Sequence, residues 1–160
     1  MQFPDAGSVR VLAGADFVST YCTAKPGLVC GLPAIAWTGA SSASSSSGFS
    51  VTAGPARGQQ LGILLYSNSG PASLPFQGGT LCVGPSPLLR GPAVSSGGTL
   101  DQCDGQFALD VNAFASGVAG GDPDPFLSAP GTEVFCQWWG RDSVSTGSFL
   151  SDALRYIVRP

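Results

Sequence analysis

The sequence predicts an all-β fold, a disulfide-supported antiparallel β-sandwich of jelly-roll type with about eight strands, and three observations lead there. Apolar segments of about four to eight residues recur between turn-forming clusters. No helical stripe persists beyond about three turns. Glycine and proline, 23 and 13 of the 160 residues, stand where they supply turn chemistry rather than packing surface.

The candidate strands are residues 9–13, 34–38, 49–53, 61–67, 80–83, 106–112, 133–139 and 154–158. Alternation assigns their faces. Phe107, Leu109 and Val111 point one way, Ala108 and Asp110 the other, as in a half-buried antiparallel strand. Phe49, Val51 and Ala53 repeat the pattern. The Ser/Ala/Gly tract at residues 41–48 is flanked closely by strands, so it reads as a long surface loop rather than a linker. Single helical turns fit residues 111–118 and 151–154. One sandwich domain, residues 21–160, follows an N-terminal strand or extension, residues 1–20, that pairs with its own sheet or crosses to a neighbour's.

Composition removes several function classes. Seven Lys and Arg against ten Asp and Glu give a net charge of −3, with no basic surface for nucleic acid. Histidine is absent, and with it goes the usual general base and the commonest transition-metal ligand, so no cofactor or metal is expected. No apolar run approaches the roughly 20 residues of a membrane span. The first residues lack the basic and apolar regions of a secretory leader, so Met1 reads as an arbitrary starting point.

Five cysteines, Cys22, Cys30, Cys82, Cys103 and Cys136, point to an oxidising, extracellular compartment. Cys22 and Cys30 bracket a Pro-Gly turn and suit a short local bridge, leaving Cys82 with Cys103. Sequence alone keeps the connectivity open. Cys136 is unpaired, either a buried thiol or a link to another segment or chain.

Residues 133–142 carry the densest chemistry. Strand periodicity puts Val134, Cys136 and Trp138 on one face and Glu133, Phe135, Gln137 and Trp139 on the other. An exposed Trp139 beside Glu133, Gln137 and Arg141 would stack on a sugar ring and bond its hydroxyls. The competing reading covers both faces and packs both indoles. Arg141 and Asp142 suit a pair of charges that fix a loop through its backbone. Asp122 and Asp124, each followed by proline, read as a stiff turn more than as a calcium loop. A glycosidase, the third reading, would pair Glu133 with Asp101, Asp104 or Asp110. No catalytic residue is assigned: no G-x-S-x-G elbow occurs, Lys25 is the sole side-chain amine, and Cys136 lacks a histidine partner.

A series of short motifs runs through the chain from Tyr21. It comprises Tyr21-Cys22-Thr23-Ala24-Lys25-Pro26, Gly31-Leu32-Pro33-Ala34-Ile35, Gly62-Ile63-Leu64-Leu65-Tyr66, Leu74-Pro75-Phe76-Gln77-Gly78-Gly79-Thr80-Leu81-Cys82-Val83, Gln137-Trp138-Trp139-Gly140-Arg141-Asp142 and Ser151-Asp152-Ala153-Leu154-Arg155-Tyr156. In this order they resemble a β-rich module of large secreted proteins of the planctomycete and myxobacterial type. The resemblance implies a secreted β-rich fold and no catalytic residues to carry over. Similar modules tend to end in Cys-Pro, whereas this chain ends Val158-Arg159-Pro160 and leaves Cys136 without that partner. The expected function is a non-enzymatic extracellular structural or adhesive module, self-assembling at a cell surface or in a secreted fibre. Its expected partners are other subunits or cell-surface components, with glycan as the alternative.

Overall fold

The computed structural model describes residues 18–142 and 147–160. They form eleven strands: β1 (Val18–Tyr21), β2 (Ala34–Gly39), β3 (Phe49–Ala56), β4 (Leu61–Ser67), β5 (Pro71–Phe76), β6 (Gly79–Val83), β7 (Leu89–Arg90), β8 (Val94–Ser95), β9 (Gly105–Asp110), β10 (Glu133–Arg141) and β11 (Ser148–Ile157). One short helix, α1 (Val111–Ala115), follows β9, and a 3₁₀ turn spans Pro125–Ser128. The fold is all-β, with every named strand paired antiparallel.

The strands stack in three layers. A large sheet runs β1-β11-β10-β4-β7, with β8 also on β4; a second sheet runs β2-β3-β9; and β5–β6 is a separate hairpin. The alternation in β3 and β9 does what it predicts, since Phe49, Val51, Ala53, Phe107 and Leu109 are buried against Leu64, Tyr66, Val134, Cys136, Trp138 and Leu154 of the large sheet. Phe107 sets how closely the sheets meet. Gly62 of β4 and Gly140 of β10 are direct partners, and a Cβ on either would stand 2.6 or 2.7 Å from the Phe107 ring. The glycines thus leave a slot, in which the ring stacks on Trp138 (5.5 Å) and meets Phe149 edge-on (5.2 Å).

The hairpin covers the other face of the large sheet. Phe135 and Gln137, which alternation points away from the sandwich core, are therefore buried as well. Gln137 is wholly enclosed and spends its amide on this contact. Its Oε1 accepts from Cys82 N (3.0 Å), while Nε2 donates to the carbonyls of Thr80 (3.0 Å) and Ser151 (2.8 Å). Tyr21 adds a second tie, its hydroxyl donating to the Cys82 carbonyl (2.7 Å) and its ring meeting Phe135 edge-on.

Several expectations are corrected. The strand expected over 106–112 stops at Asp110, whose carboxylate accepts from Ala113 N (3.1 Å) and so caps α1. Residues 151–154, expected as a helical turn, lie within β11, which starts earlier, at Ser148. β5, β7 and β8 were not expected: Pro71 and Pro75 disguise the first, and the other two are two residues each. The candidate strand at 9–13 lies outside the described residues, and β1 runs across residue 20, the expected end of the extension. The tract at 41–48 is a surface loop held by Asn112, whose amide nitrogen donates to the carbonyls of Ala40 and Ser47.

The cysteine pairing is also corrected, to Cys22–Cys82 and Cys30–Cys103. A local Cys22–Cys30 bridge is not formed; the turn between them closes instead through Gly27 N donating to the Gly31 carbonyl (2.8 Å). Both bridges span long loops, 60 and 73 residues, each of which restricts the unfolded chain by about 4 kcal/mol when taken alone.

The Gln137 network generates a prediction. Gln137→Met keeps the volume but leaves the buried Cys82 N–H without its acceptor and takes a donor from the Thr80 and Ser151 carbonyls, and should cost roughly 3–5 kcal/mol. Urea unfolding should show a lower midpoint at unchanged slope; a loss below about 1 kcal/mol would contradict the role given to this amide.

Candidate functional site

The four residues expected to hold a glycan do not converge. Gln137 is wholly buried and its amide fully engaged, so it is no surface contact. Glu133 pairs with Arg155 (3.2 Å) and stands about 20 Å from Trp139 at the rise of a strand. Arg141 is exposed at the end of β10. Trp139 is half-buried, and its Nε1 donates to Gln77 Oε1 (2.8 Å) in the β5–β6 turn. That same oxygen accepts from Ser148 Oγ (2.9 Å), while Lys25 Nζ donates to the Gln77 carbonyl (2.6 Å). This cluster pins the hairpin turn to the sheet.

The acidic residues are likewise held apart. Asp101 pairs with Arg57 (3.1 Å), Asp110 caps α1, and Asp104 accepts from the backbone N–H and hydroxyl of Thr99 (2.8 Å each). The Thr99 backbone bond is the main reason the Asp104 carboxyl titrates below its usual range. Asp124 accepts from Phe126 N (3.0 Å) and starts the 3₁₀ turn. Among the described residues no group of three or more His, Cys, Asp or Glu could hold a metal ion. Cys136 lies in the core, and burial pushes its thiol far above the ordinary range.

Two other features stand out. The first is an apolar tip around the Cys30–Cys103 bridge. Of seven large hydrophobic side chains exposed among the described residues, Leu28 (71%), Val29 (64%), Leu32 (60%) and Leu100 (60%) sit within three residues of that bridge. Clustering of this kind marks a surface with a purpose more than scattered exposure does. The tip is also stiff. Leu28 N donates to the buried Asp142 carboxylate, which a Cβ on Gly27 would crowd at 3.0 Å, and Arg57 Nη1 donates to the Asp142 carbonyl (3.3 Å). Asp142 thus fixes a loop through its backbone, with Arg57 rather than Arg141 beside it. The tip's one sequence signal is the uncharged, non-alternating run Leu28-Val29-Cys30-Gly31-Leu32 between Pro26 and Pro33, which periodicity does not flag.

The second feature is a cleft of about 450 Å³ between residues 22–24 and 32–34, with Asp152 in its wall. Leu32 belongs to both tip and cleft. Comparison with known protein families, curated proteins and solved structures finds no match. Among the described residues no helix is long and apolar enough to cross a membrane.

Since the thiolate is the reactive form, burial should keep Cys136 inert. Ellman's reagent should detect no thiol in the native protein and one per chain after unfolding; rapid native labelling would contradict its place in the core.

Proposed function

We propose that this chain is a non-enzymatic extracellular structural or adhesive module, and that it associates with further copies of itself through the apolar tip. The exposed aliphatic cluster on the Cys30–Cys103 bridge carries this reading. Leaving four such side chains in water forgoes the free energy of burying them, about 25 cal/mol per Å². A second copy is the occupant that the chemistry favours. Residues 26–33 contain no charge, and Asp101 beside Leu100 is already paired with Arg57, so two copies meeting about a two-fold axis through residues 26–33 would bury no unpaired ion.

Other properties support the same reading. A net charge of −3 with 11% charged residues gives little repulsion between copies. The bridge and Asp142 fix the loop beforehand, so association loses little loop entropy. Two disulfides fit an oxidising, extracellular setting, and the likeness to secreted planctomycete- and myxobacterial-type modules points the same way. Glycan binding draws less support, because Gln137 is buried and Trp139 is tied to Gln77.

Light scattering over a concentration series tests the proposal. The protein should gain mass with concentration, and the double variant Leu28→Ser, Val29→Ser should remain monomeric with stability within about 0.5 kcal/mol of the parent, as for exposed positions. A parent that is monomeric throughout, or a variant that associates equally well, would overturn it.

A further inference from the structure

We propose that the cleft beside Asp152 binds an aliphatic primary ammonium group on a short methylene stem, with Asp152 as its counter-ion. The placement of Asp152 starts with a β-bulge. Between the pairs Gln137↔Ala153 and Trp139↔Leu150, β11 holds two residues, Ser151 and Asp152, opposite the single Trp138 of β10. Ser151 Oγ takes over the ladder by accepting from Trp138 N (3.0 Å). Asp152 is thereby freed from the sheet face and reaches the edge of β2, where its Oδ1 accepts from Ile35 N (2.7 Å).

Among the described residues that backbone bond is the sole hydrogen bond its carboxylate takes from another element, and neither ion pair involves it. Asp152 is half-buried, and this desolvation raises its pKa, as for a carboxylate whose charge is poorly compensated. The cleft walls supply what surrounds an ammonium on a stem. Leu32, Pro33 and Ala24 give apolar surface, and Thr23, which also lines the cleft, is a residue type able to accept a further hydrogen bond. A volume of about 450 Å³ lies within the range of small-ligand sites. An anionic ligand would be repelled, and a neutral one would leave the carboxylate uncompensated. The guest comes from another molecule that is not a copy of this chain through lysine, because the single lysine, Lys25, is committed to Gln77 and Ser148.

The test needs only the folded monomer at low concentration, so its outcome is separate from that of self-association. Butylammonium should shift the amide resonances of residues 22–24 and 32–34 in NMR titrations, about tenfold more tightly than 1-butanol, since one charge-assisted contact distinguishes the two. Asp152→Asn retains an oxygen for Ile35 N and should abolish that preference with the melting temperature unchanged. Ala34→Trp, which fills the cleft from an exposed strand position and leaves the carboxylate in place, should abolish the shifts altogether. Equal affinity for amine and alcohol, a preference that survives Asp152→Asn, or no shifts in these segments would each overturn the proposal.

Discussion

The fold depends on one constraint: the large sheet is packed on both faces, so a polar group buried there can find a partner only inside the protein, and the Trp138 indole N–H is one that finds none. Gln137 meets that requirement where it is hardest. Without its amide, the hairpin β5–β6 would press a backbone N–H and a carbonyl against an apolar sheet. With it, the hairpin becomes a third layer bonded to β10 through a side chain that also bonds β11. Tyr21 and the Cys22–Cys82 bridge then hold that layer at Cys82, and the Trp139–Gln77 contact holds it at its turn. On the opposite face the requirement is one of shape, and the glycine pair with Phe107 answers it by bringing the second sheet close to the first.

The surface features grow from these same contacts. The bulge at Ser151 and Asp152 lies opposite Trp138, the residue against which Phe107 stacks. The packing that closes the core therefore also turns a carboxylate outward at the edge of β2. In the same way, Asp142 directly follows β10 and binds the Leu28 backbone, so the stiffness of the apolar tip is inherited from the central sheet. The tip and the cleft share Leu32, and both therefore rest on the segment between β1 and β2.

Much of the architecture is legible in the sequence because β3, β4 and β9 follow simple rules. β3 and β9 face water on one side, so alternation identifies them and their buried faces. β10 and β11 do not alternate, since sandwich and hairpin each bury one of their faces. Reading one face of β10 as a glycan platform follows from alternation and fails at Gln137, whose polarity serves the interior. The bulge hides Ser151–Leu154 from strand periodicity and makes it look like a helical turn. Disulfide pairing is beyond sequence reasoning here because the layers, not the spacing, bring Cys22 to Cys82 and Cys30 to Cys103. Asp152 and the aliphatic tip are invisible for a related reason: what distinguishes them is the company they keep after folding.

The two disulfides interleave, since Cys22 and Cys30 both precede Cys82 and Cys103. A protease cut anywhere between residues 30 and 82 therefore produces two fragments that remain joined by both bridges. The exposed serines of the loop at residues 41–48 lie within this span. Scission there opens the chain without releasing either half, and the strands on both sides of the cut stay registered in their sheets. Wherever proteases act and reductants are scarce, the molecule can be nicked and still persist as one body.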